Sequence, residues 1–125
     1  MWHAPLAEGE WSAAQLIGHL FDVDIVYGFR WRLVLTQNKP AYPGYNYLWS
    51  QLPRPDATES LAAWSGIRTA NMALFRDIPA ADWKRWGTHG EQGDERFDLM
   101  VDKIAGHDLA HLNQLVRTVA AAHVR

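Results

Sequence analysis

Three histidines lie in two segments with helical, apolar spacing. His107 and His111 are four residues apart in AGHDLAHLNQL, and His19 lies in LIGHL near the other end of the chain. Positions four apart on a helix differ by about 40° around the axis and one turn along it, so both imidazoles can reach one ion. His19 also falls on the inward apolar stripe of its segment. Three imidazoles without a thiol are typical of a catalytic metal site with an open position.

A structural role is the alternative for each histidine taken alone, because a single histidine on an apolar face is more often a hydrogen-bonded core residue. Three buried neutral imidazoles without partners would cost about 1–3 kcal/mol each, which favours a shared metal. Zinc is the first expectation, with nickel, iron or manganese as alternatives. A glycine precedes two of the histidines, Gly18 before His19 and Gly106 before His107. This predicts a close approach of the two helices at the site.

Further polar residues are candidates to surround the metal: Asp22, Arg30, His89, Asp108 and Gln114. The two aspartates are expected to orient imidazole N–H groups, and Gln114 to reach an exogenous ligand. His89, in GTHGEQG, suits either an exposed loop or a pocket wall, with the exposed loop favoured. Arg30 follows His19 by three turns and requires an anionic partner, either a substrate or, as the favoured alternative, an interhelical ion pair.

Three long helical segments must position these residues. The first begins with Ser12 as the cap residue and Gln15 as its capping-box partner, and it ends at Asn38-Lys39-Pro40. The second begins after Asp56 and ends at Ile78-Pro79, and the third begins between Asp94 and Asp98. Residues 40–55 and 80–95 are predicted loops, each with a short helical turn. No convincing strand is found, so we predict an all-α antiparallel bundle forming a single domain, residues 1–125.

Composition excludes several classes of function. A formal net charge of −2 with scattered Lys and Arg argues against nucleic-acid binding. No apolar run is long enough to span a membrane, and no signal peptide is apparent, so we expect a cytoplasmic protein. The chain has no cysteine, which excludes disulfides, thiolate metal sites and a cysteine nucleophile.

The stretches WSAAQLIGHLFDVD, THGEQGDERFDLM and IAGHDLAHLNQL resemble the DinB/YfiT-like superfamily of bacterial metal-binding four-helix bundles. The resemblance extends over about residues 8–118 and implies that His19, His107 and His111 bind a divalent metal. Members of that superfamily include thiol-dependent S-transferases and a mycothiol-dependent maleylpyruvate isomerase. Because this chain begins almost at the Trp-Ser start, we expect the superfamily's first helix to be missing from it. We therefore expect an exposed apolar flank, covered by a second copy in a homodimer unless the chain is truncated.

Together these features predict a metal-dependent transferase or isomerase that acts on a small-molecule substrate with a low-molecular-weight thiol as cosubstrate. The metal would act as a Lewis acid and lower the pKa of a bound thiol or water. One alternative is a non-catalytic, stress-related helical bundle with a structural metal, in which Asp22, Asp108 or His89 would supply a fourth ligand. Another alternative is a metal-dependent hydrolase.

Overall fold

The computed structural model describes residues 2–123, with the backbone alone at residue 47, and the chain is mostly helical. The long helices are α1 (Ala13–Thr36), α2 (Ala57–Ala73) and α3 (Phe97–His123). Two short 3₁₀ helices, Tyr47–Gln51 and Ala80–Lys84, lie in the connections. The three long helices and the helical turn in each connection are therefore found as predicted.

Local capping signals explain where the helices begin. The Ser12 hydroxyl accepts a hydrogen bond from the Gln15 backbone N–H (3.3 Å), and the Gln15 side chain accepts one from the Ser12 N–H (2.8 Å). The Asp56 carboxylate accepts from the Glu59 N–H (2.9 Å) at the start of α2. Both caps satisfy backbone donors that would otherwise lack partners, and both confirm the sequence prediction.

A small three-stranded sheet corrects the all-α prediction. Its strands are β1 (Ala41–Tyr42), β2 (Trp86–His89) and β3 (Gly93–Arg96), in the order β1-β2-β3. β1 pairs in parallel with β2, and β2 pairs with β3 as an antiparallel hairpin. Strands this short carry no readable alternation, and the β1–β2 pairing joins segments more than 40 residues apart. The sheet fixes the two long connections to each other beside the helices.

The relative direction of α1 and α2 also differs from the antiparallel prediction. The Trp64 Nε1–H donates to Asp24, and the rings of Trp31 and Phe75 lie 5.0 Å apart. The residue later in α1 thus contacts the residue later in the α2 segment. α1 and α2 are therefore parallel. α3 runs opposite to α1, because Phe97 at its start packs in one core cluster with Val34 near the end of α1, whereas His107, later in α3, lies beside His19 near the start of α1. The long connection between α1 and α2 makes this possible by returning the chain to the start of α1.

The helices enclose an apolar core but leave a groove open between α2 and α3. The core is formed mainly by α1 and the first half of α3, and its buried members include Val23, Trp31, Val34, Phe97 and Met100. The groove has a volume of about 400 Å³ and is lined largely by apolar side chains. Leu109 in its wall is 62% exposed. No helix within residues 2–123 is long and apolar enough to cross a membrane.

Candidate metal centre

The three predicted histidines meet between α1 and α3. His19 Nε2 lies 3.1 Å from His107 Nε2, although the two residues are 88 positions apart in the sequence. The His111 ring centroid lies 4.8 Å from that of His19 and 4.4 Å from that of His107. One potential ligand atom from each residue lies within 4.8 Å of the other two. The arrangement is a possible three-histidine metal site.

The surroundings lower the pKa of two of these imidazoles, His19 and His111. The pKa of His19 is lowered from 6.5 to about 4, first by burial and then by the neighbouring His111 and His107. Burial, followed by the effect of His107, also lowers the pKa of His111. Neutral imidazole is the form that binds a metal, so these shifts favour the metal-binding form of His19 and His111 at pH 7.

Two side chains of α3 lie close to the Nδ1 atoms of its two histidines. His111 Nδ1 lies 3.2 Å from Gln114 Oε1, so an Nδ1–H would donate to the amide oxygen and leave Nε2 free as a ligand. His107 Nδ1 lies 3.5 Å from Asp108 Oδ1, at the upper limit of a hydrogen bond. The orienting role expected for Asp108 stays a prediction. Gln114, expected to reach an exogenous ligand, contacts His111 in this structure.

Asp22 contacts an arginine that the sequence analysis did not single out. Arg54 forms a two-pronged ion pair with the Asp22 carboxylate, and its Nη1–H also donates to the Gly18 carbonyl (2.9 Å). A Cβ atom at Gly18 would lie 2.7 Å from Arg54 Nε, whereas one at Gly106 would contact nothing within 4 Å. The predicted close approach of helices at these glycines is therefore wrong, because Gly18 makes room for Arg54.

Asp108 belongs to a second ion-pair network, which joins all three helices. Arg68 Nη2 donates to Asp108 Oδ2 (2.6 Å) and to Asp24 Oδ2 (2.8 Å). Asp24 is 2% exposed and also accepts hydrogen bonds from Trp64 Nε1–H (2.9 Å) and the Asn71 amide (3.1 Å). The network connects the helix that carries His107 to α2. Sequence analysis did not single out Arg68, because its partners are distant in the sequence.

Trp11 is another contact that sequence analysis did not predict. Its ring lies 4.9 Å from the His19 ring and stacks on the His111 ring at 6.2 Å. A large aromatic group in contact with both rings restricts their rotation and covers that side of the site.

A cavity of about 230 Å³ adjoins the histidines on their other side, and its wall includes His19, Tyr45, His89 and His107. His89 is 6% exposed, so the favoured expectation of an exposed loop residue is wrong and the pocket-wall alternative applies. Its Nδ1 accepts hydrogen bonds from the backbone N–H groups of Glu91 and Gln92, both 3.0 Å. This tautomer carries its hydrogen on Nε2, so His89 can act there as a donor.

Arg30 also lines this cavity and is 2% exposed. Its Nη2–H donates to the Pro43 carbonyl (2.8 Å), and its Cζ lies 4.9 Å from the ring centroids of both Tyr27 and Tyr42. No carboxylate oxygen in the described part of the chain lies within 4.0 Å of its nitrogens. The interhelical ion pair favoured by sequence analysis is therefore not formed.

The donor set suits a divalent metal such as zinc. Ligands at the usual Zn–N distance in a tetrahedron lie about 3.4 Å apart, close to the observed 3.1 Å between His19 and His107. Small ring movements would bring the third imidazole into range. The nearest aspartates, Asp22 and Asp108, are held by arginines, so three nitrogens are the available protein ligands. Such a set leaves coordination positions free.

Comparison with known proteins agrees with this type of site. The sequence profile of the DinB superfamily matches residues 1–115. The "Putative metal-dependent hydrolase YfiT" of Bacillus subtilis (strain 168) is 27% identical over 124 residues, which cover 90% of this chain and 68% of that protein. A second protein named "Putative metal-dependent hydrolase", from Bacillus mycoides (strain KBAB4), is 23% identical over 110 residues, or 86% of this chain and 64% of that one.

A solved structure is similar in fold. Its title reads "YfiT from Bacillus subtilis is a probable metal-dependent hydrolase with an unusual four-helix bundle topology". The match has a TM-score of 0.76 and 26% identity, and it covers 95% of this chain and 73% of that chain. The fold and the histidine cluster thus define a helical protein of a metal-binding class. The chain belongs to the DinB superfamily.

Proposed function

We propose that His19, His107 and His111 bind one divalent metal, and that the protein transfers or isomerises a small substrate with a low-molecular-weight thiol. A metal held there would supply Lewis-acid chemistry and lower the pKa of a coordinated thiol or water. Zinc is the proposed metal, with nickel, iron and manganese as alternatives. The observation that carries the proposal is the convergence of three imidazoles, two of which, His19 and His107, line a cavity.

The residues around the site support a catalytic role over a structural one. A structural zinc site closes its fourth position with a protein ligand. Asp22 is paired with Arg54, Asp108 is paired with Arg68, and His89 Nδ1 accepts two backbone N–H groups. None of these three candidates joins the histidine cluster. Positions on the metal would therefore remain open to molecules from the cavity.

The same ion pairs favour a thiol over water as the nucleophile. Activation of water normally uses a general base within hydrogen-bond reach. Asp22 and Asp108, the aspartates beside the site, are paired with arginines. Neither carboxylate is therefore free to act as the general base for a water nucleophile. Because the protein has no cysteine, a thiol must come from outside. Hydrolysis is the second candidate function, supported by the names of the two Bacillus relatives.

One assay separates the two reactions. Zinc-loaded protein is incubated with an electrophile such as 1-chloro-2,4-dinitrobenzene plus each of several thiols, and separately with nitrophenyl esters without thiol. We expect thiol-dependent conjugation that is lost in His107→Ala and retained in Asn113→Ala, an exposed position on the same helix. Ester cleavage without thiol would establish the hydrolase instead. No rate above that of His107→Ala in either assay would refute both enzymatic functions.

We also propose that a second copy of the chain covers the apolar groove between α2 and α3, which gives a homodimer. Met72, Leu109 and Leu112 are among the exposed apolar side chains that line the groove. An open apolar surface of this kind is uncommon on a monomer and favours association.

A further inference from the structure

The cavity beside the histidines carries a buried positive charge at a distance from them. His19, Val23, Tyr27 and Arg30 all line it, and their spacing of four, four and three residues places them on one face of α1. With a rise of 1.5 Å per residue, His19 and Arg30 are separated by about 16 Å along the helix axis. One cavity therefore extends from the histidines at one end to the Arg30 guanidinium at the other.

Among the described residues, no carboxylate lies within ion-pair distance of this guanidinium. A buried arginine normally pairs with an anion, because removing its charge from water is costly. Arg30 contacts the Pro43 carbonyl, the rings of Tyr27 and Tyr42, and the Tyr27 hydroxyl, with which it forms a hydrogen bond. Burial raises the pKa of both tyrosines, so their hydroxyls stay neutral. These neutral groups stabilise the cation only in part.

The other charged groups near the cavity already have partners or lie in solvent. Lys103 Nζ donates to Gln92 Oε1 (2.6 Å) and lies 3.9 Å from Glu95 Oε1. Glu95 in turn accepts a hydrogen bond from the Tyr42 hydroxyl (2.8 Å). Glu91 is exposed. Arg30 is thus the charged group of the cavity that is both buried and without an opposite charge within ion-pair distance.

We propose that the substrate of this site bears a carboxylate that binds Arg30 while its reacting end lies at the histidines. The planar fork of guanidinium N–H groups matches a carboxylate and favours it over a neutral polar group. A volume of about 230 Å³ suits a small molecule below drug size. The inference rests on the proposed function, because it assigns the substrate class of the same metal site.

A matched pair of thiols tests the charge preference without measuring turnover. The protein is loaded with Co²⁺, and 6-mercaptohexanoate and 6-mercaptohexanol are titrated separately while the thiolate-to-cobalt absorption band is recorded. The two probes share the sulfur and the chain length and differ at the far end. We expect the acid to bind at least about tenfold more tightly, as for a charge-assisted hydrogen-bonded pair.

Variants assign that preference to one residue. In Arg30→Gln the acid and the alcohol should bind equally, with alcohol affinity unchanged, whereas Arg30→Lys should retain part of the preference. Arg76→Gln removes the same charge from an exposed position outside the cavity lining and should keep the full preference. If Arg30→Gln does not fold, the comparison of acid and alcohol affinities in the wild type and in Arg30→Lys still tests whether Arg30 binds the carboxylate.

The failure of this inference is distinguishable from failure of the proposed function. Equal affinity of the two probes, no binding of either probe to cobalt-loaded protein, or an acid preference that survives in Arg30→Gln would overturn the carboxylate assignment alone. Failure of the wild-type protein to bind cobalt through the histidines would overturn the metal site itself, and the inference with it.

Discussion

Replacing Arg68 by methionine removes the cation that joins Asp24 and Asp108. Asp24 is 2% exposed and would retain its hydrogen bonds from Trp64 and Asn71, but it would have no opposite charge. The side chain of Asp108 is 12% exposed, so water would relieve its loss in part. Removing one partner of a buried ion pair costs about 3–5 kcal/mol, and partial exposure places Arg68→Met near the lower end, at about 3 kcal/mol.

Urea unfolding followed by circular dichroism measures this loss, with the midpoint and slope fitted separately. Arg76→Met is the matched control, since Arg76 is exposed and its change should alter stability by no more than about 0.5 kcal/mol. In a double-mutant cycle with Asp24→Asn, the coupling energy should be at least about 1 kcal/mol. A loss below about 1 kcal/mol in Arg68→Met, or additive effects in the cycle, would refute the account of this network.

Three further predictions concern the metal centre and the open groove. Gln114→Leu removes the acceptor for His111 Nδ1–H and should weaken zinc binding about 10–100-fold by chelator competition, whereas Asn113→Leu should not. Because the pKa of His19 falls from 6.5 to about 4 on folding, the metal-free protein should lose stability as pH drops through that range, by at most about 3 kcal/mol. In His19→Gln this pH dependence should flatten, and an unchanged slope would contradict it. Light scattering should show a dimer that Leu109→Lys converts to monomer, and a monomeric wild type would exclude the dimer.

The features predicted from the sequence are those encoded locally. Ser12 with Gln15, and Asp56 with Glu59, are capping pairs within one helical turn, so they define two helix starts without knowledge of the fold. The spacing of His107 and His111 likewise gives their shared face. Placing His19 opposite them required only that two apolar stripes pack together.

The features missed depend on contacts between distant parts of the chain. The parallel pairing of Ala41 with Thr88 joins strands too short for a pattern to show. Arg54 and Arg68 have aspartate partners 32 and 44 residues away, so nothing near them in sequence distinguishes them from solvated surface charges. For Arg30, the sequence indicated burial but could not decide between a protein partner and a ligand.

Metal analysis of protein purified without a metal-affinity tag tests the central claim most directly. Wild-type protein, His19→Ala and His111→Ala are compared with Asn113→Ala by elemental analysis after identical purification. The account predicts near-stoichiometric divalent metal in the wild type and in Asn113→Ala, and loss of that metal in both histidine variants. Full retention of metal in either histidine variant, or a metal-free wild type that takes up no zinc when it is added, would contradict the three-histidine site.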